Sequence, residues 1–329
     1  MKKTKILVLE TTDPAYNLAA EQYAFDVLSE EDDLIMLWQN DRSVIIGKYQ
    51  NTLAEINRTF IDENGIKVVR RLSGGGAVFH DLGNLNFTFI VHSQGEMVSM
   101  RTFCLPVVDA LASIGVKAEL NGRNDITVEG KKVSGNSQYI RNGKTMHHGT
   151  LLFSADLDVM EKALSVDPDK MEAKGIRSVR SRVTNISGFT TLSLESFVHI
   201  LRKTFEKDKH AEEYLLSQND RQSIREIADS RYDTWEWNYG RSKECTLLQK
   251  GRVEGCGTVE IRICLEGSRI QSVSFSGDFL ALSELDELEG AFSGIEHSGK
   301  DYRELLNRID VSAFIRGLNN EELLKILLS

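Results

Sequence analysis

The sequence predicts an α+β fold: a largely antiparallel mixed sheet with helices, followed by a smaller α+β accessory unit. Three features carry that expectation. Short apolar runs recur through the first half of the chain, Glu129-Gly130 and Asn142-Gly143 have the chemistry of tight hairpin turns, and few amphipathic stretches intervene. A doubly wound parallel sheet would need a helix between nearly every pair of strands.

Taken in order, Ile6 to Leu9 reads as a strand. Asp13-Pro14 then supplies an N-cap and a first-turn proline for an amphipathic helix carrying Leu18, Phe25 and Leu28. Leu34 to Trp38 and Val44 to Ile46 read as paired strands. Val68 to Leu72 and Ala77 to His80 flank Gly74-Gly75-Gly76, Phe87 to Val91 is a further strand, and Met97 to Ile114 is expected to be helical despite Pro106. Ile126 to Val128, Val133-Ser134 and Met146 to Phe153 complete the hairpins. After about Gly240 the texture changes. Cys245 to Gln249, Glu254 to Leu265 and Arg269 to Phe275 form a meander, with helices near Leu282 to Leu288 and Glu321 to Leu328. The expected domains are 1–242 and 243–329. Trp235-Glu236-Trp237-Asn238-Tyr239-Gly240 is expected to pack their junction.

Composition narrows the function classes. No apolar run approaches the roughly 20 residues of a membrane helix. Lys2, Lys3 and Lys5 precede an apolar stretch too short for a signal peptide, so a cytoplasmic protein with no membrane partner is expected. A net charge of -9 argues against a general nucleic-acid binder while leaving room for a local basic pocket. Cys104, Cys245, Cys256 and Cys264 form no C-x-x-C pair and have no histidine at zinc spacing, so reduced thiols are expected.

Four segments carry candidate chemistry. Arg70-Arg71-Leu72-Ser73-Gly74-Gly75-Gly76-Ala77-Val78-Phe79-His80 places two cations before a run of glycines, whose N–H groups can line a concavity for phosphate or carboxylate oxygens. A tight hairpin with surface arginines is the other reading. Neither the P-loop nor the Rossmann fingerprint fits it. In Asn124-Asp125 and Lys131-Lys132-Val133-Ser134-Gly135, strand alternation sends the two lysines to opposite faces, so at most one enters a pocket. A solvated hairpin tip is the alternative. Adjacent His147 and His148 face opposite sides for the same reason, which argues against joint chelation of a metal. Lys174 to Asn185, with Arg177, Arg180 and Arg182, suits an anion-closing loop or an acidic-partner contact; no aromatic is interleaved for base stacking.

In this order the segments closely resemble LplA-type lipoate-protein ligases, nearly end to end: R-R-x-S-G-G-G-A-V-F-H-D-x-G-N, N-D-[IL] followed by K-V-S-G, H-H-G-T-L-L, K-G-I-x-S-V-R-S-R-V-T-N and W-E-W-N-[FY]-G. The resemblance implies a catalytic domain related to biotin ligases and class II aminoacyl-tRNA synthetases, plus an accessory domain that reorients. It implies that lipoate and Mg-ATP give lipoyl-AMP and pyrophosphate, after which the lipoyl group passes to a lysine of an acceptor lipoyl domain (the E2 subunit of a 2-oxo-acid dehydrogenase) or of a glycine-cleavage H protein. By the same resemblance Lys132 is catalytic, bridging the acyl carbonyl and the α-phosphate. Trp38, Arg71, Ser73, Gly74, Gly75, Gly76, His148 and Gly149 contact the lipoyl group, with Leu72 and Val78 as further walls. Arg71, Gly76, Val78, Phe79, Asn84 and Lys132 contact ATP or the adenylate, and Asp125 the magnesium ion. Lys174, Gly175, Arg180 and Arg182 belong to the loop closing over the adenylate, and Arg177 and Arg180 are candidates for steering an acidic acceptor. The competing readings are a cysteine-dependent octanoyl- or lipoyltransferase on the same fold and a lipoate-binding sensor. The first needs an activated thiolate beside the lysine, and no cysteine lies between Cys104 and Cys245.

Overall fold

The computed structural model describes residues 4–93, 98–121, 125–164, 182–209, 211–240 and 247–328. Strand β1 (Thr4–Val8) leads to helix α1 (Pro14–Tyr23), where Asp13 Oδ1 accepts from the Ala15 amide and Pro14 occupies the first turn. Strands β2 (Asp33–Trp38) and β3 (Ser43–Ile46) follow, then helix α2 (Arg58–Glu63), β4 (Lys67–Arg70), β5 (Val78–His80), β6 (Asn84–His92) and helix α3 (Met100–Ser113), which continues through Pro106. Next come β7 (Ala118–Asn121), β8 (Asp125–Val128), β9 (Lys131–Arg141), β10 (Lys144–Leu152), helix α4 (Leu157–Leu164) and β11 (Ala211–Glu213).

The main sheet has the order β11-β1-β2-β6-β10-β9-β8-β7. β1 runs parallel to β11 and β2, and the other neighbours are antiparallel, so the sheet is mixed and largely antiparallel. Both expected hairpin tips are present, with positive φ at Glu129, Gly130, Asn142 and Gly143. The expected pairing of Leu34–Trp38 with Val44–Ile46 does not occur. Both edges of β2 are taken, by β1 and β6, so β3 leaves the sheet and pairs with β4 and β5 in a small separate one.

Alternation along β2 splits two cores. Leu34, Met36 and Trp38 pack on α1, while Ile35 and Leu37 join Phe87, Phe89 and Phe103 under α3 and the helix Leu194–Lys209. Residues 247–328 build a third core, which Tyr49 enters from the first part of the chain. The expected meander is there as β12 (Leu247–Val253), β13 (Gly257–Glu266) and β14 (Arg269–Gly277), one face covered by helices that include Gly299–Leu306, which the sequence reading did not anticipate.

The junction expectation divides between the two tryptophans. Trp237 Nε1 donates to the Arg70 carbonyl at 2.8 Å, whereas Trp235 is 68% exposed and stacks on Tyr239. The C-terminal unit is seated instead on the glycine loop. Gly75 N donates to the Phe279 carbonyl and Gly277 N to the Tyr49 carbonyl, each at 2.9 Å, Tyr49 stacks on Phe279, and Glu284 pairs with Lys48 and accepts from Tyr139.

Candidate active site

The two adjacent arginines part company after β4. Arg70 is fully buried and donates to the carbonyls of Gly47, Lys48, Gln50, Trp237 and Asn238 and to Thr52 Oγ1. It stitches the 47–52 loop to the 237–238 turn and lends no charge to a pocket, contrary to the expectation of paired cations. Arg71 takes the other side. Its guanidinium holds the glycine loop by donating to the Gly74 and Gly76 carbonyls at 2.6 and 2.9 Å, and burial draws its pKa down to about 10, against the pull of Glu21.

Beside Arg71 a narrow slot of about 130 Å³ runs into the domain. Leu18, Trp38, Ile45 and Val78 make its walls apolar; Arg71, His148, Asn136 and Lys132 supply its polar end, and Gly75, Gly76 and Gly149 also line it. A Cβ at Gly149 would lie 2.2 Å from Asn136 Oδ1, so a side chain there collides with the slot's own frame. Leu72, Ser73 and Gly74 do not line this slot; Gly74 turns its Cα toward the Phe279 carbonyl of the C-terminal unit. Leu72 packs in the α1 core, and Ser73 Oγ sits behind the wall, accepting from Arg71 Nε at 3.0 Å and lying 2.6 Å from His148 Nε2.

His148 is held from its far side by a residue the sequence reading missed. Glu21, 1% exposed on α1, accepts from His148 Nδ1 at 2.9 Å and from Thr88 Oγ1 at 2.7 Å, and Thr88 in turn accepts from Trp38 Nε1 at 3.0 Å. One buried carboxylate thus fixes both the imidazole and the slot's tryptophan. Glu21–His148–Ser73 has the order of a nucleophile triad, but Ser73 Oγ is shielded and already accepts from Arg71, so the chain orients groups. A buried acidic residue at helical spacing from Leu18 and Phe25 was the available signal.

Alternation places the lysines and histidines as expected. Lys131 is exposed, while Lys132 reaches the slot with Nζ 2.8 Å from Asp125 Oδ1. His147 turns to the opposite face, stacked on Phe103 and kept neutral, its pKa lowered to about 3 by burial. His80, also on the slot, is held near 3 by burial and then by Arg71 and His148. The slot opens past Gly76, Val78, Lys132 and Thr150 into a cleft of about 850 Å³, large enough for a nucleotide. Phe79, Asp125 and Arg182 line that cleft together with Lys250, Arg252 and Glu260 of the C-terminal sheet. Asn84 lies outside both cavities and donates to the Phe79 carbonyl at 2.8 Å. Lys174, Gly175, Arg177 and Arg180 lie outside the described residues, as does Cys245. Cys104 is buried across the sheet beside His147, and burial pushes its thiol up to about 12; Cys256 is buried in the C-terminal core. Neither is an activated thiolate near Lys132.

An apolar slot ending on a lysine and opening into a nucleotide-sized cleft is the layout of an enzyme that joins an acid to a nucleotide. The family model of the lipoyl protein ligase A/B catalytic domain matches residues 13–206, and that of the bacterial lipoate protein ligase C-terminus matches 242–327. The chain is 40% identical over 321 residues to the lipoate-protein ligase LplJ of Bacillus subtilis, covering 96% of this chain and 97% of that protein. It is 35% identical over 327 residues to a lipoate–protein ligase of Streptococcus pyogenes, covering 97% and 96%. The crystal structure of P. falciparum LipL1 in complex with lipoate superposes with a TM-score of 0.82 at 25% identity, covering 98% of this chain and 97% of that one. A lipoate-protein ligase A bound with ATP gives 0.64 at 30% identity over 73% of this chain and 99% of that one. The chain belongs to the lipoate-protein ligase family.

Proposed function

We propose that this chain activates free lipoate with Mg-ATP and then transfers the lipoyl group to a lysine of an acceptor domain. In the first step a lipoate carboxylate oxygen attacks the α-phosphorus, the bond to the β-phosphate oxygen breaks, and pyrophosphate leaves. In the second, the acceptor lysine's amine attacks the acyl carbon, the bond to AMP breaks with its electron pair going to the phosphate oxygen, and the amine loses a proton. The observation that carries the reading is Lys132, whose Nζ stands where the apolar slot meets the cleft.

The first step brings a carboxylate against a triphosphate, and the repulsion must be offset by fixed positive charge. Lys132 is the donor placed at both reacting groups, Arg71 shapes the glycine loop around them, and His148, held by Glu21, closes the slot's polar end. Trp38 and Val78 take the lipoyl tail; Val78, Phe79 and Arg182 border the nucleotide side. Asn84 acts through Phe79. Magnesium would arrive with ATP and offset phosphate charge, and Asp125, one of the carboxylates on the cleft and the partner of Lys132, is the residue that would contact it. Lys174, Gly175 and Arg180 complete the closing loop, and residues 1–242 and 243–329 act as catalytic and accessory domains.

The acceptor is a 2-oxo-acid dehydrogenase E2 lipoyl domain or a glycine-cleavage H protein; a Thermoplasma acidophilum neighbour is described as a bi-partite lipoate protein ligase and its E2 lipoyl domain. Among the described residues no helix is long and apolar enough to cross a membrane. We place the reaction in the cytoplasm. Lipoate-dependent ATP–pyrophosphate exchange without acceptor tests the reading: exchange with lipoate and not biotin is expected, and Lys132→Ala should lower it by about 10² to 10³. Exchange in that variant within about threefold of wild type would overturn the assignment of Lys132.

A further inference from the structure

The apolar slot holds one polar side chain that the fold leaves unsatisfied. Asn86 on β6 is 1% exposed and lines the slot, and its Nδ2 and Oδ1 are both buried without a hydrogen-bond partner among the described residues. Its neighbours are committed elsewhere. Trp38 Nε1 donates to Thr88, which donates to Glu21, so that chain of bonds runs past Asn86 two residues along the same strand face. On the other side Asn17 Nδ2 donates to Asn40 Oδ1, which leaves Asn40 Nδ2 as the donor to His80 Nδ1 at 3.1 Å; the remaining ring N–H, on Nε2, then donates to Thr150 Oγ1 at 3.1 Å. An unpaired buried carboxamide destabilises the fold, and a leucine of nearly the same shape would fill the place without that penalty. A carboxamide kept there calls for a partner that the ligand brings.

The sheet register says which part of the ligand it meets. β6 lies between β2 and β10, and Asn86 stands opposite Trp38 on one strand and Thr150 on the other, all three lining the slot. Thr150 also lines the cleft, as does Lys132, whereas none of the residues lining the cleft comes from β2 or β6. Neighbouring strands are about 5 Å apart, so Asn86 stands one such step in from the mouth that Thr150 and Lys132 share. A carboxylate that must meet a nucleotide stays at that mouth with Lys132. Beside Asn86 lies the tail, and the only heteroatoms in the tail of lipoate are the two ring sulfurs, which are weak hydrogen-bond acceptors.

We propose that Asn86 reads the dithiolane ring, donating from Nδ2 to its sulfurs, and that the slot thereby selects a sulfur-bearing acid over a plain fatty acid of the same chain length. This rests on the reading of lipoate as the acid that is activated. Trp38, Leu18, Ile45 and Val78 offer contact to either tail and do not choose between them. The choice comes from Asn86. An all-methylene tail fills the slot yet leaves the carboxamide buried and unpaired, so selection works through the penalty on the wrong acid more than through the strength of N–H···S bonds.

The test measures binding apart from turnover, on the full chain. Calorimetric titration with lipoate and with octanoate, without ATP, is compared for wild type, Asn86→Leu and Asn86→Ala. Wild type should bind lipoate about tenfold more tightly than octanoate, and Asn86→Leu should bring the two within about threefold, chiefly by tightening octanoate. Asn86→Ala should narrow the ratio as well, and Asn86→Leu should melt no lower than wild type, because it removes an unsatisfied buried group. Equal affinities in wild type overturn the proposal without recourse to any variant. The same lipoate-to-octanoate ratio in wild type and Asn86→Leu also overturns it, and a parallel loss of both acids would mean that the carboxamide holds the carboxylate they share. A wild-type chain that shows the selectivity, loses it in Asn86→Leu and yet catalyses no lipoate-dependent exchange would remove the adenylation reading and leave the role of Asn86 standing.

Discussion

The three consecutive glycines have three different physical reasons, and alanine at each position separates them. At Gly74 a Cβ would lie 2.4 Å from the Phe279 carbonyl oxygen, against an ordinary contact that begins near 3.4 Å, so backbone must move by about 1 Å. Overpacking of that kind costs about 1 to 3 kcal/mol, and losing the Gly75–Phe279 hydrogen bond adds about 1. Gly75 has φ +89°, where an alanine costs about 1 to 2 kcal/mol, and its Cβ would also press on Arg71 Nη2 at 3.0 Å. Gly76 has ordinary φ and open space around the missing Cβ, so Gly76→Ala should keep stability or gain up to about 1 kcal/mol. Because Gly76 lines both the slot and the cleft, its methyl would stand where substrate must lie, raising the KM for lipoate or ATP on the order of tenfold to 10²-fold. Urea unfolding, exchange kinetics with both substrates varied, and hydrogen exchange at the Gly75 and Gly277 amides read out all three. A Gly76→Ala protein as destabilised as Gly74→Ala would refute the reasoning. So would Gly75 and Gly277 amides as protected in Gly74→Ala as in wild type.

Arg70→Met leaves five backbone carbonyls short of a donor in a buried junction and should cost about 4 kcal/mol in unfolding free energy, read from the urea midpoint; a loss under about 1 kcal/mol would mean that water replaces the guanidinium. Glu55 is raised from 4.5 to about 7 first by burial and then by Asp278 and Glu260. Its folded-state pKa lies above the unfolded one, so the protonated form is favoured by folding, and its contribution is full below about pH 4.5 and lost as pH rises through about 7. Glu55→Gln should therefore remove on the order of 2 kcal/mol of the stability decline between pH 4.5 and 8, and parallel wild-type and variant profiles would dispose of the idea. Trp38→Ala should raise the lipoate KM more than it lowers kcat, since Trp38 is an apolar wall of the slot; steady-state kinetics that show the reverse split would move Trp38 into the chemistry.

Much of the site was legible because strand geometry has a period of two. Alternation sends Lys131 and Lys132, and His147 and His148, to opposite faces once the strands are located; that Lys132 and His148 are the members that line the slot was implied by the family resemblance and is decided by the packing of the sheet. The hairpin tips were equally local, since Glu129-Gly130 and Asn142-Gly143 carry the positive-φ chemistry that such turns demand. Other decisions were made far along the chain. Adjacent Arg70 and Arg71 look alike in sequence, yet one is consumed by carbonyls of the 47–52 loop and the 237–238 turn and the other lines the slot. Glu21 meets His148 across 127 positions, and Gly74 owes its missing side chain to Phe279 of a different core. The pairing of β3 depended on which edges of β2 were already occupied, and the helix Gly299–Leu306 is mostly polar, with Tyr302 and Leu306 as its buried anchors. Periodicity and turn chemistry fix which way a side chain points from its own strand. What stands opposite it is set by long-range packing and hydrogen-bond satisfaction, which only the folded chain decides.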